Sequence, residues 1–331
     1  MSQTLKKCLY GLTLSELQTL CAELSLPRFA AKQIARWLYV RRVKTIEEMT
    51  DLSKAARAAL EEHYELGLAS PLKESCSADG TKKYLFRTSQ GEYIESAYIP
   101  DGERATLCVS SQAGCRMGCR FCATARQGLQ HSLSAGEIIN QIFSIPDSER
   151  LTNLVFMGMG EPLDNYDNVM RTIEILTADW GFAWSPKRIT VSSIGKLDTL
   201  TRLLDETHVH VAISVHSPYH EERAGLMPVE KPYPIREVMK CLRRYDFAHQ
   251  RRLSVEYIMW NGLNDDMEHA QALVELLAGS NSRVNLIRFH AIPGVNLKTT
   301  DEERMIRFRD YLNSQGVIAT IRRSRGEDIF A

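Results

Sequence analysis

The sequence predicts an α/β protein whose main sheet is parallel and closes into a barrel or part of one, preceded by a small helical unit and a β-hairpin. Three observations carry this. From residue 104 onward, apolar strand-like runs alternate with amphipathic stretches about six times, the pattern of parallel strands joined by right-handed crossovers. No Gly-, Pro- or Ser-rich linker interrupts that region, so it reads as one domain. Ahead of it lie helical periodicities, then two short β-branched and aromatic runs separated by a turn signal.

Thr13 followed by Glu16 has the spacing of a capping box and opens the helix LSELQTLCAEL. A second helix fits RFAAKQIARWLYV, with Ile34, Trp37 and Leu38 on one face, and a third fits SKAARAALEEHYEL. No chemical motif occurs in these residues, and 1–72 is assigned to a helical accessory domain that contacts a partner. KKYLFRT and EYIESAYI flank the turn SQG, so 73–103 is assigned to a β-hairpin that leads into the main domain, 104–331. Its strands are ATLCVS, TNLVFMG, KRITVSS, VHVAISV, LSVEYIM, RVNLIRF and VIATIR.

Composition narrows the class. Apolar residues make up 44% and charged residues 25% of 331, ordinary for a globular protein with one large or two modest domains. No apolar run approaches the roughly 20 residues of a membrane span, and the N-terminal residues show no export signal. A cytoplasmic protein is expected, with no membrane partner. Lys and Arg number 41, as do Asp and Glu, and a net charge of zero neither supports nor excludes RNA binding. In a reducing compartment the eight cysteines are not a disulfide framework. Cys8, Cys21, Cys76, Cys108 and Cys241 are scattered, whereas Cys115, Cys119 and Cys122 fall within one short segment.

That segment, Cys115-Arg-Met-Gly-Cys119-Arg-Phe-Cys122, can wrap one metal centre from a single loop. A structural zinc site takes four protein ligands, so zinc needs a distant fourth such as His131 or Cys108. A four-iron cluster normally takes four cysteines, and three leave one iron open for another ligand. The second reading is preferred from the spacing and the loop position, and Phe121 directly before the last cysteine, which resembles the usual pattern of radical S-adenosylmethionine (SAM) enzymes, strengthens it. The loop also follows the first strand, at the sheet's C-terminal face, where such folds place their chemistry.

The next strands deliver polar groups to the same rim. Gly160 lets the backbone approach a ligand, and Glu161 beside it can accept hydrogen bonds from an ammonium group, although a tight turn with a capping acid has the same sequence. Ser192 ends the third strand, Ser214-Val215-His216 the fourth, and the sixth leads to His290. Each alone reads as a helix cap or turn; together they suit a cofactor site. Cys108 inside the first strand is either an inert core thiol or one that exchanges with a covalent intermediate. Glu95, on the hairpin, is by pattern a solvated strand carboxylate.

ERATLCVSSQAGCRMGCRFCATARQG closely resembles the signature of the RlmN/Cfr family of radical SAM RNA adenosine methyltransferases; GMGEPLDNY, ITVSSIG, ISVHSP and RRSRGEDIFA fit the same family. The resemblance covers nearly the whole chain. It implies a partial (β/α)6 TIM-like barrel of the radical SAM type. It implies that Cys115, Cys119 and Cys122 ligate a [4Fe–4S] cluster, that Gly160 and Glu161 contact the methionine part of SAM, and that Ser192, Ser214, Val215 and His216 line the same cofactor. Glu95 would be the base that takes a proton from the adenine intermediate, and Cys108 the thiol that forms a disulfide and releases the product. His290 stands where the family usually has Asn, and an imidazole there would contact the adenine or ribose of the cofactor. The implied reaction is methylation of carbon 2 of an adenosine in 23S rRNA and in tRNA, with an external electron donor such as flavodoxin and a monomeric enzyme. Methylation at carbon 8, a non-catalytic RNA-binding homologue, and a radical enzyme acting on a protein or small molecule are the alternatives.

The family chemistry has a physical basis. Carbon 2 of adenine is electron-poor, so simple methyl cation transfer fails. One SAM methylates an enzyme cysteine, a second generates a radical that activates that methyl group, and a base and second thiol then resolve the adduct. The methyl-carrying cysteine of the family lies just after the RGEDI motif, in a run like AACG. This sequence stops at Ala331, just short of that point, and a truncation is the expected reason. The 331 residues as written are expected to be incompetent for methyl transfer, which a single-turnover assay yielding methylated adenosine overturns.

Overall fold

The computed structural model describes residues 6–250 and 252–331; the first five residues of the accessory unit lie outside the described residues. A short parallel pair, β1 (Lys7–Cys8) and β2 (Tyr64–Glu65), brackets three helical segments. They are α1 (Leu14–Glu23), α2 (Ala30–Ala35), which continues as a π-helical turn Arg36–Arg41, and α3 (Lys54–His63). The Thr13–Glu16 capping box is formed in both directions. Leu17, Ile34, Leu38 and Leu60 are fully buried. This unit packs directly on α4 (Ala135–Phe143) of the main domain. A Cβ on Gly11 would stand 2.2 Å from the Gly136 nitrogen, so the two backbones meet where only glycine fits. Ala69 and Asn140 exchange two hydrogen bonds (2.8 and 3.0 Å), and Arg42 lies over the rings of Phe143 and Phe182.

The hairpin strands β3 (Lys73–Cys76), β4 (Lys82–Arg87) and β5 (Tyr93–Asp101) are antiparallel and hydrogen-bonded into the main sheet through β6 (Arg104–Cys108). After β6 comes a small hairpin, β7 (Gln112–Gly114) and β8 (Leu129–Ser132), then α4. The parallel series follows: β9 (Asn153–Phe156), α5 (Tyr166–Thr177), β10 (Ile189–Ser193), α6 (Leu197–Glu206), β11 (His210–Ser214), α7 (His220–Leu226), α8 (Ile235–Leu242), β12 (Leu253–Met259), α9 (Met267–Leu277), β13 (Ser282–Arg288), α10 (Glu302–Ser314) and β14 (Ile318–Ile321). The order β14-β13-β12-β11-β10-β9-β6-β5-β4-β3 makes one ten-stranded sheet, parallel from β14 to β6. Its two edges are bridged by the C-terminal tail. From β14 the chain reaches the β3–β4 turn, where Asp328 accepts from Ser77 Oγ (2.5 Å) and the Ala78 nitrogen (3.2 Å), and Lys83 donates to the Phe330 carbonyl (2.9 Å). A sheet whose edges are spanned by so short a tail is strongly curved, as the partial (β/α)6 barrel requires.

Strand alternation sorts the two faces. Leu107, Leu154, Phe156, Val191, Ile213, Val255, Tyr257 and Leu286 point to one side, are all nearly inaccessible, and pack under the helices. The other face carries Cys108 and Met157 together with Ser192, Ser214, Glu256 and Asn285, and the last four are polar groups an apolar core would reject. Among the described residues no helix is long and apolar enough to cross a membrane.

On the outside, His269 near the start of α9 bridges Asp266 (2.7 Å) and Glu222 (3.0 Å). Burial opposes its charge, but the two carboxylates outweigh burial and raise its pKa above the ordinary 6.5. A raised folded-state pKa stabilises fully below the unfolded value and is lost as pH climbs through the folded one. Calorimetry is therefore expected to show wild type losing stability above about pH 6.5 relative to a His269→Gln variant; parallel pH profiles would refute the coupling.

Candidate active site

The three clustered cysteines sit on the connection between β7 and β8. Gly114 has φ +72°, and a Cβ there would lie 1.8 Å from the Gly128 carbonyl oxygen, which also accepts from the Cys115 nitrogen (3.0 Å). The neck of the loop is thus clamped. Arg116 grips Asp164 with two hydrogen bonds (2.8 and 2.5 Å), tying the loop to the segment after β9. Phe121 packs at a 48° tilt against Trp260 and meets His216 edge-on at 5.1 Å. Cys115 and Cys119 are buried and Cys122 is half-buried. Burial first, then the neighbouring thiols and Glu161, pushes Cys119 up to about 12; burial likewise pushes Cys115 up to about 11. Thiols this reluctant to ionise become ligands when a cationic centre sits among them, with release of protons.

All three thiols line one cavity of about 270 Å3. Among the described residues no three metal-ligating side chains close on a single-ion position. The thiols share a wall rather than a point, as a multi-iron cluster needs, each iron taking one thiolate. The proposed fourth zinc ligands stand apart: His131 Nε2 is engaged by Glu137 (3.1 Å), and neither it nor Cys108 lines the cavity.

Opposite the thiols the cavity is lined by Gly160, Glu161, Ser192, Ser214 and His216, where the sequence reading places the cofactor. Glu161 is only 4% exposed. Its carboxylate accepts from the Leu163 and Ile194 nitrogens (both 3.2 Å), and burial pushes its pKa up to about 7. An ammonium group entering the cavity would supply the charge this acid lacks. His216 has φ +59°, and burial pushes its imidazole down to about 3. The Ile258 nitrogen donates to Nδ1 (3.0 Å), so the neutral ring carries its proton on Nε2. Val215 is fully buried and holds the turn instead: its nitrogen donates to the Glu256 carbonyl (3.0 Å).

Sequence reasoning missed three organising residues. Arg223, on α7, is fully buried and donates to the carbonyls of Val215, Ile194 and Ser214 (2.9, 2.9 and 3.0 Å) while pairing with buried Glu230. Gln112 accepts from the Glu161 nitrogen (3.0 Å). Asn264 donates to the His216 carbonyl (2.7 Å). In sequence they resemble a solvated helix face and ordinary loop amides, and nothing but burial distinguishes them.

The remaining named residues lie outside this lining. Cys108 ends β6 on the same face, paired with Ala97 and Val155; burial pushes its thiol up to about 12. Glu95, two residues from Ala97, shares that face and pairs with Lys83 (3.2 Å). It borders a separate open groove with Thr124, beyond the cysteine loop, and Met159, before Gly160. Ser110 links the two regions: its hydroxyl donates to the Glu95 carbonyl (2.6 Å) and accepts from the Met159 nitrogen (2.9 Å). His290 is exposed and bonds the tail, at Ser324 (3.1 Å) and Glu327 (3.2 Å), away from the cavity.

Residues 109–277 match the Radical SAM superfamily, and 8–66 match the ribosomal RNA large subunit methyltransferase N-terminal domain. A protein of Phocaeicola vulgatus described as a probable dual-specificity RNA methyltransferase RlmN is 56% identical over 99% of this chain and 94% of its own length. The dual-specificity RNA methyltransferase RlmN of Halorhodospira halophila is 41% identical over 97% and 90%. The crystal structure of a radical SAM methyltransferase from Sphaerobacter thermophilus superposes with a TM-score of 0.91 at 39% identity, covering 98% of this chain and 97% of that one. The superfamily's cofactors, a [4Fe–4S] cluster and SAM, fit the thiol wall and the Glu161 side of the cavity; bound there, they supply an abstractor of hydrogen atoms. With its thiols, its buried acid and its whole length accounted for, the chain belongs to the RlmN family of radical SAM RNA methyltransferases.

Proposed function

We propose that this enzyme methylates carbon 2 of an adenosine in 23S rRNA and in tRNA. The observation that carries the reading is the shared open face: Cys108 and Glu95 stand on the same side of the sheet as the cofactor lining Ser192 and Ser214. In this reading Cys115, Cys119 and Cys122 hold the cluster, Gly160 and Glu161 bind the amino-acid end of SAM, and Ser192 and Ser214 to His216 line its nucleoside. Glu95 removes the adenine proton, held in place by Lys83. Cys108 resolves the adduct; with a pKa near 12 it remains a thiol until a base takes its proton. His290 is assigned to the cofactor's adenine or ribose once the tail moves. Residues 1–72 form an RNA-contacting accessory domain, 73–103 a hairpin and 104–331 the catalytic barrel. The enzyme acts in the cytoplasm as a monomer and takes its electrons from a carrier such as flavodoxin.

The test uses the protein expressed from its own gene, reconstituted anaerobically with iron, sulfide and reductant. Nucleosides from treated 23S rRNA and tRNA are then separated by mass spectrometry. The expected product is 2-methyladenosine, with 5′-deoxyadenosine. Only 8-methyladenosine would move the activity to carbon 8, and no 5′-deoxyadenosine would leave a non-catalytic RNA binder.

A further inference from the structure

The open face continues below the cofactor cavity, toward the strand starts. Four residues before Cys108 stands Arg104; four before Ser214, His210; four before Ile287, Arg283. The two-residue alternation puts each on the same face, about 13 Å lower at ~3.3 Å per residue. Lys187 precedes β10 and Arg252 precedes β12; Arg322 follows the end of β14, higher on the same face, where its nitrogen donates to the Leu286 carbonyl (2.8 Å). These charges sense one another. Arg283 is lowered by burial, then by Arg322, with Arg104 and Arg252 adding to it; His210 is pushed down to about 4 by burial, then by His249, Arg283, Lys187 and Arg104.

Arg116, Arg171, Arg202 and Arg304 each pair with a carboxylate, whereas Arg28, Arg41, Arg236 and Arg323, among other described residues, stand singly on the surface. Among the described residues Arg104, Lys187, Arg252, Arg283 and Arg322 also pair with no carboxylate. Asp101, across the strand pair from Arg104, is taken by Arg325 (2.9 Å). The acid that faces the group is buried Glu256, held by Asn285 (2.7 Å). His210 Nε2 is buried without a hydrogen-bond partner. What sets this group apart is that its unpaired cations stand close enough to act on one another.

We propose that this lower mouth docks the RNA backbone: phosphates flanking the target adenosine lie on Arg104, Lys187, Arg252 and Arg283, with Arg322 reinforcing Arg283 from above, and the base is turned up the open face to Cys108. The inference rests on the RNA-substrate reading above. An enzyme that reacts with a base must take it out of its stack, which leaves the flanking phosphates at the opening of the cavity. Phosphate contacts carry no sequence information, so such a surface accepts more than one RNA. An acidic electron carrier is the other polyanion to weigh. It must approach the cysteine loop, which lies at the opposite ends of these strands.

The experiment measures binding of the full chain to a labelled RNA stem-loop with an unpaired adenosine, across a salt series. It compares wild type, the triple variant Arg104→Gln/Arg283→Gln/Arg322→Gln, the charge-retaining Arg104→Lys/Arg283→Lys/Arg322→Lys, and Arg307→Gln on the outer helix. The glutamine triple variant is expected to bind about tenfold or more weakly, with its salt slope reduced by about three units. The lysine triple variant retains most of the affinity, which excludes misfolding as the cause, and Arg307→Gln matches wild type. If the glutamine variant binds RNA like wild type, the mouth is not the docking surface although the RNA reading stands. If that variant binds RNA normally but is reduced more slowly by flavodoxin, the surface belongs to the electron carrier and the proposal falls. If wild type itself fails to bind RNA, the substrate reading fails and takes this inference with it.

Discussion

Replacing Arg223 by methionine is expected to lower the unfolding midpoint by about 10 °C and to abolish SAM binding. No other side chain in the site has so many obligations. It is fully buried, and it donates to the carbonyls of Ile194, Ser214 and Val215, the turns that present the proposed cofactor lining. Its second function is electrostatic. Glu230 is 1% exposed, and without Arg223 it keeps only the Ile235 nitrogen and His220 Nδ1, both at 2.9 Å. Removing one member of a buried ion pair costs about 3–5 kcal/mol, a large part of the total stability of a domain, and orphaned carbonyls add to it. A second change separates the two roles. Arg223→Met/Glu230→Leu removes the stranded charge and is expected to recover several degrees, because an apolar pair can replace a buried ionic one. It is not expected to recover SAM affinity, because the three carbonyls are still unheld. Calorimetry and SAM titration of anaerobically reconstituted protein give the two readings. Recovery of both together would mean that Arg223 supports the fold and does not position the site.

That residue also marks where the sequence stops being informative. The strands were legible because apolar alternation is a local signal, and LSVEYIM is observed as β12 over the same seven residues, Leu253–Met259. The Thr13 capping box was legible because its two partners are three residues apart. The cysteine spacing and the Gly160-Glu161 turn were legible because their chemistry is compressed into a few adjacent residues, and the cavity brings them together. Arg223 lies in HEERAGL, whose charges read as a solvated face; its burial depends on α7 folding back over two turns that are distant in sequence. The β7–β8 hairpin was equally silent, since Gln112-Ala113-Gly114 has no strand propensity and exists because Gly114 fits against Gly128. His290 shows the converse. Its position after the sixth strand suggested the rim, yet the side chain turns to Ser324 and Glu327 of the tail, a partner no local pattern announces.

Gly160→Ala is expected to weaken SAM binding about 30- to 100-fold, through two separable causes. Gly160 has φ +97°, a conformation that costs an L-residue roughly 1–2 kcal/mol. A Cβ there would also lie 2.6 Å from Gln112 Cβ and 2.8 Å from the Gln112 nitrogen, a backbone atom of β7 that cannot swing aside. Gln112 is the residue that accepts from the Glu161 nitrogen, and β7 leads directly into Cys115. The added methyl group therefore drives Glu161 away from the loop that carries the thiols. The free variant relaxes this strain and binding must restore it, which at 1.4 kcal/mol per tenfold accounts for about a tenfold loss; the wedge between the two loops accounts for the rest. Gly195 isolates the first cause. It has the same φ of +97°, but its Cβ would meet side-chain atoms of Val238 at 3.0 and 3.2 Å, which a small rotation can relieve. Gly195→Ala is thus expected to lose about tenfold from strain, and to keep wild-type iron content where Gly160→Ala loses part of its cluster. Equal losses of affinity and iron in the two variants would mean that glycine is needed at 160 only for its backbone freedom, and that the close approach of the two loops does not set the geometry of the cofactor cavity.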